Sequence, residues 1–91
     1  MASPQSLDDI QAAVFHALHL IAPEADLQTL NPQAPLREEL DMDSMDFFRF
    51  MLQLNQALQI DIPEADYGQL STLKSCLEYL SLKISKSLGL P

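Results

Sequence analysis

The chain has 91 residues, which is room for a single domain over residues 1–91 with one small hydrophobic core. Apolar residues make up 47% of the chain, and 13 acids outnumber 5 bases, which gives a formal net charge of −8. Nucleic acid and anionic membranes would repel such a chain, so the expected partner is a protein with a basic face. Only one cysteine is present, and the first twenty residues hold two acids and neither Lys nor Arg. We therefore expect a cytoplasmic protein.

The first predicted helix follows Ser6, whose spacing to Asp9 is that of an N-terminal capping box. Apolar residues then recur at three- and four-residue steps and form one stripe: Leu7, Ile10, Val14, Leu18 and Ile21. Pro23 ends this helix because it lacks an amide donor and disfavours helical angles in the residue before it.

Between Pro23 and Asp43 the chain reads as one long connection, longer than the roughly 2–8 residues that usually join bundle helices. Four leucines recur within it: Leu27, Leu30, Leu36 and Leu40. We expect these leucines to pin the connection across the core.

The second helix is predicted to begin at Asp43, which can cap it, and to extend to about Leu58. Asp46 falls in its first turn, where the positive end of a helix favours a carboxylate. Residues 60–63 break the pattern, and residues 64–68 are long enough for one helical turn.

A last helix follows Ser71 or Thr72, either of which can cap it. Its apolar stripe consists of Leu73, Cys76, Leu77, Leu80 and Ile84. The predicted fold is all-α: a small up-and-down bundle of three main helices plus one short helix, with a long loop between the first and second helices.

The second helix carries two apolar stripes about a third of a turn apart. The first stripe is predicted to face the core: Phe47, Phe50, Met51, Leu54 and Leu58. Met45, Phe48 and Leu52 form the second, which we interpret as a partly exposed contact strip for partners. The alternative is that this helix is central and buried all round.

Eight of the 13 acids lie between residues 38 and 66: Glu38, Glu39, Asp41, Asp43, Asp46, Asp61, Glu64 and Asp66. They form a solvated acidic face or, together with the contact strip, a docking surface that attracts a basic partner electrostatically.

Ser44 falls in the first turn of the second helix, and the glycines of a G-x-S-x-G hydrolase elbow are missing around it. The run LREELDMDSMD at residues 36–46 resembles the attachment motif of acyl carrier proteins. In that family acids, a leucine and usually a glycine precede Asp-Ser-Leu at the start of the second helix. Residues 62–64 and 70–73 look like the family's third-helix entry and fourth-helix cap, so the resemblance covers essentially the whole chain.

The resemblance implies that a phosphopantetheinyl transferase attaches 4′-phosphopantetheine from coenzyme A to Ser44, beside the motif residue Asp43. The arm's thiol would hold an acyl group as a thioester, and the chain would be a monomeric carrier, not an enzyme. It would present that group to acyl-transferring, ligating or synthase enzymes of fatty acid, polyketide or related pathways. The implied partner contacts are Met45, Asp46, Phe48, Arg49, Leu52 and Glu64. The implied lining of an acyl pocket is Phe50, Met51 and Leu54.

The chain departs from the family pattern at three places. Asp41 stands where the family often has glycine, Arg49 stands where many fatty-acid carriers have an acid, and residues 53–59 contain no carboxylate. A base in the docking helix weakens contact with arginine-rich partners, so we expect a specialised, stand-alone carrier. Peptidyl carriers typically have Leu-Gly-Gly-His-Ser, which residues 40–44 do not match.

No metal site is expected. Residues 41–46 begin like a calcium loop, but the later ligand positions fail, and His16 and His19 lack a third ligand. Cys76 is interpreted as a small buried hydrophobe. The remaining alternative to the carrier is an unmodified acidic helical adaptor that binds a basic protein through the same strip, and the two hypotheses differ at the Ser44 hydroxyl.

Overall fold

A computed structural model describes residues 7–87, with side chains over residues 8–84. Its helices are α1 (Leu7–Ile21), α2 (Leu36–Glu39), α3 (Ser44–Leu58) and α4 (Leu73–Ser87), with 3₁₀ segments at Leu27–Thr29 and Glu64–Leu70. The predicted all-α bundle is confirmed, and the predicted second helix corresponds to α3. The capping box expected at Ser6 lies outside the described residues. Within residues 7–87, no helix combines the length and apolar character needed to cross a membrane.

The core lies where α1 packs against α3 and α4. From α1, Ile10, Val14 and Leu18 are buried, as their stripe predicts, and Ile21 is half-buried. From α4, the buried residues are Leu73, Cys76, Leu80 and Ile84, with Leu77 half-buried at the edge. Periodic apolar spacing therefore identified the buried face of both helices.

The start of α4 holds the long connection in place. Thr72 caps α4: its Oγ1 accepts from the Ser75 N–H at 3.0 Å, while Ser75 Oγ accepts from the Thr72 N–H at 3.2 Å. Next to this cap, the Leu36 N–H donates to the Ser71 carbonyl at 2.7 Å, and the Lys74 N–H donates to the Pro32 carbonyl at 2.9 Å. Two backbone hydrogen bonds thus join the connection to the entry of α4.

The connection contains more structure than its sequence predicts. It holds the 3₁₀ turn Leu27–Thr29 and the one-turn helix α2. One turn is too short to produce a periodic pattern, so neither segment could be predicted from spacing. Leu36 is fully buried, and the other three predicted anchors pack half-buried against the core: Leu27, Leu30 and Leu40. The expected pinning of the connection is confirmed.

Two helices are followed closely by a residue in the left-handed backbone region. Asp41 has φ 52°, and the next amide, of Met42, donates to the Arg37 carbonyl at 2.9 Å. Gln59 has φ 55°, and the Ile60 N–H donates to the Asn55 carbonyl at 3.1 Å. In both cases the amide bonds to the carbonyl five residues earlier, as in the Schellman motif, which usually has glycine at the left-handed position. Asp41 therefore adopts the backbone conformation that the usual glycine of the attachment motif would adopt freely.

The segment after α3 is fixed at both ends. The Ile62 N–H donates to Asn55 Oδ1 at 3.1 Å, and the Tyr79 hydroxyl of α4 donates to Asp66 Oδ2 at 2.6 Å. Burial, this hydrogen bond and the charges of Asp66 and Asp61 raise the pKa of Tyr79 to about 12. The predicted helical turn at residues 64–68 is the 3₁₀ segment Glu64–Leu70, held against α4.

The left-handed residues give a test of the fold. Gln59→Gly is expected to raise the free energy of unfolding by about 0.5–1 kcal/mol, because it removes a Cβ that is unfavourable at positive φ. Asp41→Gly is expected to give a smaller gain, since aspartate tolerates this region better than glutamine. Urea denaturation followed by circular dichroism measures both.

Two further variants serve as controls. Asp41→Asn removes the same charge as Asp41→Gly but keeps a side chain, and Gln56→Gly places glycine inside α3, where it is expected to cost about 1 kcal/mol. A loss of stability in Gln59→Gly comparable to that in Gln56→Gly would contradict the left-handed conformation.

Candidate functional site

Ser44 is the first residue of α3, and its side chain is exposed. Asp43 is the N-cap: its Oδ1 accepts from the Asp46 N–H at 2.8 Å, and Asp46 Oδ2 accepts from the Asp43 N–H at 3.4 Å. The predicted helix start is confirmed, with Asp46 completing a reciprocal capping box. The Ser44 hydroxyl takes no part in this box, so it can be modified without removing the cap.

The start of α3 also retains donors for an anion. The Asp43 carboxylate accepts a hydrogen bond from the Asp46 amide, and the Asp43 carbonyl accepts one from the Phe47 amide at 3.0 Å. Among the residues that the structure describes, no acceptor is bonded to the amides of Ser44 and Met45. Free amides at the positive end of a helix favour a negatively charged group. An exposed hydroxyl beside two such amides fits a phosphodiester bonded to Ser44 Oγ.

The outward stripe of α3 is exposed. Met45 is 58%, Phe48 36% and Leu52 41% exposed, while all five residues of the inward stripe are buried. The alternative in which α3 is buried all round is therefore wrong. Three apolar side chains on two successive turns form a continuous strip that starts at the residue after Ser44. Its role in partner binding stays a prediction.

An aromatic cluster joins α3 to the 3₁₀ segment Glu64–Leu70, and it consists of Phe47, Phe48, Phe50 and Tyr67. The Tyr67 ring centroid lies 6.1 Å from that of Phe47 and 6.4 Å from that of Phe48, and Phe47 and Phe50 are 6.0 Å apart. Tyr67 therefore covers the boundary between the inward and outward stripes. Sequence spacing missed it, because its contacts are with a different segment of the chain.

Acids lie near one side of the strip, and the pair of Arg49 and Asp46 lies on the other. The Tyr67 ring contacts Phe48 on one side of the strip. Burial and, after it, the charges of Glu64 and Asp61 raise the pKa of Tyr67, so these two acids lie near that side. Arg49 follows Phe48 by about 100° around α3, away from that contact. Its guanidinium Nη1 is 3.9 Å from Asp46 Oδ1, and its side chain is 64% exposed. A pair this long and exposed contributes little to stability, so Arg49 is available to a partner.

A surface depression adjoins the start of α3. The end of α1 and the residues after it form one wall, and α2 with its following residues forms the other: Ile21, Ala22, Pro23, Glu24, Ala25, Glu39, Leu40, Asp41, Met42 and Asp46. Four of these residues carry carboxylates. The lining of this depression is therefore acidic.

Phe50, Met51 and Leu54, the expected lining of an acyl pocket, are each 0% exposed in the core. Two further surface depressions in the described part of the chain lie along α4. Neither these nor the one beside α3 is lined by Phe50, Met51 or Leu54. That these residues line an acyl pocket stays a prediction.

The remaining candidates lie apart from Ser44. His16 and His19 are exposed on α1, and no group of three metal-ligating side chains occurs within residues 7–87. Cys76 is fully buried, as predicted, and burial raises the pKa of its thiol to about 12. A thiol in this state is protonated and unreactive near neutral pH.

Comparison with known proteins adds to this geometry. A family model described as the phosphopantetheine attachment site matches residues 10–80. The acyl carrier protein of Syntrophobacter fumaroxidans is 27% identical over 75 residues, which are 80% of this chain and 93% of the relative. That of Thermosynechococcus vestitus is 24% identical over 85 residues, 93% of this chain and 99% of the relative. The acyl carrier protein of Cyanidioschyzon merolae is 25% identical over 89 residues, which are 98% of this chain and 91% of the relative.

A helical bundle with an exposed serine at the start of a capped central helix, matched over most of its length, defines a phosphopantetheine-attachment domain. The chain belongs to the acyl carrier protein family. The family's covalent cofactor is 4′-phosphopantetheine, and its members carry acyl groups rather than catalyse reactions.

The two stripes of α3 give a direct test by mutation. Phe48→Ala is expected to lower the free energy of unfolding by less than about 1 kcal/mol, because the side chain is already partly in water. Phe50→Ala is expected to cost about 3–5 kcal/mol, because it opens a cavity in the core. Denaturant titration of both variants measures the difference, and equal losses would contradict the division of α3 into an inward and an outward stripe.

Proposed function

We propose that Ser44 is the attachment site of 4′-phosphopantetheine and that this chain carries an acyl group on that arm. The observation that carries the proposal is the exposed hydroxyl at the first residue of α3, in the run that resembles the family motif. Asp43, the flanking motif residue, caps the helix and holds Ser44 at its first position. When bound, the group supplies a terminal thiol that holds the acyl group as a thioester.

The chain's own residues contribute position and charge, not catalysis. Ser44 Oγ would hold the phosphate of the group, and the first-turn amides of α3 would favour its negative charge. The capping box keeps this helix end ordered when the hydroxyl is modified, because neither of its two hydrogen bonds uses Ser44.

The proposed partners are a phosphopantetheinyl transferase and enzymes that transfer, ligate or condense acyl groups, as in fatty acid or polyketide synthesis. The contact strip of Met45, Phe48 and Leu52 lies beside Ser44, where a partner's active site must come. Asp46 and Glu64 supply acids at its edges. Carboxylates of this kind raise the encounter rate with a basic surface, and the apolar strip supplies contact area once the partner is bound.

Arg49 makes this docking surface unusual. It is the only charged residue of α3 after Asp46. A partner with a uniformly basic face meets an unfavourable charge there, whereas a partner with an acid at that point is favoured. We infer that the chain serves a specialised set of enzymes.

Ser44→Ala tests the attachment site. Wild-type protein incubated with coenzyme A and a broad-specificity phosphopantetheinyl transferase is expected to gain one phosphopantetheine by intact mass. Ser44→Ala is expected to gain none, with unchanged helicity, because the cap is made by Asp43 and Asp46.

Ser71→Ala is the matched control: it removes an exposed serine hydroxyl next to another helix start and leaves modification intact. A wild type that is never modified, while a known carrier in the same tube is, would favour the unmodified acidic adaptor. Modification that persists in Ser44→Ala would place the arm on a different residue.

Arg49→Glu tests the electrostatic part of docking. With a transferase whose docking face is basic, this variant is expected to be modified faster than wild type, most clearly at low ionic strength, where charges are least screened. Arg49→Gln, which removes the charge without reversing it, is expected to lie between the two. The measurement is kcat/KM for modification at several salt concentrations, and identical values for all three proteins would show that residue 49 lies outside the contact.

A further inference from the structure

The 3₁₀ segment after α3 turns once every three residues, so side chains three positions apart lie in one row along it. One row holds Glu64, Tyr67 and Leu70, which are exposed, half-buried and fully buried in that order. This row faces α3, because the Tyr67 ring centroid lies 6.1 Å from that of Phe47 and 6.4 Å from that of Phe48. The row leads from an acid in water, over an aromatic ring beside the contact strip, into the core.

The second row of this segment faces α4, and the third faces solvent. Asp66 accepts from the Tyr79 hydroxyl of α4 at 2.6 Å, and Gln69 lines a depression along α4 together with it. The solvent row consists of Ala65 and Gly68, which are both exposed. A Cβ built on Gly68 meets no atom of another part of the chain within 4 Å. The solvent row therefore adds only a methyl group beside the aromatic ring, and a partner can approach that ring closely.

Two carboxylates lie close to the same ring. Burial and, after it, the charges of Glu64 and Asp61 raise the pKa of Tyr67. Glu64 is also one 3₁₀ turn before Tyr67 in the same row, which places its side chain next to the ring. On the other side of the strip, Arg49 Nη1 is 3.9 Å from Asp46 Oδ1. An approaching cation therefore meets two acids on the Tyr67 side, and an acid that already has a base beside it on the other side.

An aromatic ring beside a carboxylate has the chemistry that receives a guanidinium group. This group is planar, so it can lie on a ring face while its N–H groups donate to a carboxylate. A lysine ammonium carries the same charge, but it is more strongly hydrated and has no flat face to stack. The Phe48 and Tyr67 rings are tilted by 51°, so they are not stacked on each other. The Tyr67 ring is therefore suited to an arginine from outside the chain.

We propose that Tyr67 and Glu64 together receive an arginine of the docking partner, with the guanidinium lying on the Tyr67 ring and donating to the Glu64 carboxylate. The proposal rests on the proposed docking of enzymes at the strip of Met45, Phe48 and Leu52. It extends that surface onto a second segment of the chain. It also makes Tyr67 a residue that distinguishes partners, because an arginine at this point binds more tightly than a lysine of the same charge.

The test uses two short peptides in place of an enzyme. Acetyl-Leu-Arg-Arg-Leu amide and acetyl-Leu-Lys-Lys-Leu amide have the same net charge and differ in their cationic side chains. Each is titrated at low ionic strength into the full chain, and the dissociation constant comes from the shifts of amide and aromatic NMR resonances. The arginine peptide is expected to shift the Tyr67 and Phe48 rings. It is expected to bind about two- to fivefold more tightly than the lysine peptide, since stacking on an exposed ring contributes modestly.

Substitutions locate the preference for arginine. Tyr67→Leu keeps an apolar side chain but removes the ring, so it is expected to bind the two peptides equally. Tyr67→Phe keeps the ring and is expected to keep the preference. Glu64→Gln is expected to weaken binding of the arginine peptide, whereas Glu24→Gln removes an exposed acid elsewhere and is the matched control that leaves the preference unchanged. Nuclear Overhauser contacts from the arginine δ protons to the Tyr67 ring of the wild type test the same contact without any substitution.

Equal dissociation constants for the two peptides in the wild type would overturn the proposal. An arginine preference that survives Tyr67→Leu would overturn it as well, and so would Nuclear Overhauser contacts that reach other parts of the chain and not Tyr67. Because no transferase or other enzyme is present, these outcomes are separate from the proposed attachment. A chain that binds the arginine peptide as expected but never gains phosphopantetheine on Ser44 would contradict the attachment and leave the arginine contact in place.

Discussion

The reciprocal capping of α3 by Asp43 and Asp46 is the interaction on which the rest of the site depends. It fixes the residue at which the helix begins, and the helix then fixes the direction of every side chain along it. A start one residue later would leave Ser44 outside the helix, as its N-cap. Burial of the inward stripe then keeps Phe48 on the outward face of the same helix. The position of Ser44 at the start of α3 therefore depends on two carboxylates that cap the helix.

The start of α3 is in turn positioned by the end of α2 and by the entry of α4. Asp41 adopts a left-handed conformation so that the chain can turn from α2 towards Asp43, with Met42 buried behind the turn. The connection is joined to α4 by the hydrogen bond from Leu36 to Ser71. Ser44 is thus an exposed residue that follows a segment held in place by hydrogen bonds and by buried side chains. Such anchoring suits the proposed attachment at Ser44, because a residue that carries the arm must be presented to enzymes at a constant place on the surface.

Much of this architecture could be predicted from the sequence, because α1, α3 and α4 are each long enough to show an apolar period. The division of α3 into two stripes followed from the same period and from the limited cover that a three-helix bundle offers. The one-turn helix α2 could not be predicted, since four residues carry no period. Tyr67 could not be placed either, because its position depends on contacts with Phe47 and Phe48 in a different segment. The acyl pocket of Phe50, Met51 and Leu54 was taken from a family resemblance, and it stays a prediction because burial in the core does not show what a bound chain would contact.

The strong negative charge offsets a risk of self-association that the exposed strip creates. A protein that presents Met45, Phe48 and Leu52 to water risks association with other copies of itself. A net charge of −8 opposes that association, because like-charged molecules repel before their apolar surfaces meet. In the docking proposed above, the same charge attracts a basic partner while it keeps copies of this chain apart. In that docking, Arg49 narrows the choice among basic partners, because its exposed guanidinium lies beside the strip. The proposed selectivity therefore depends on where charges lie along the outward face of α3, and not only on the total charge of the chain.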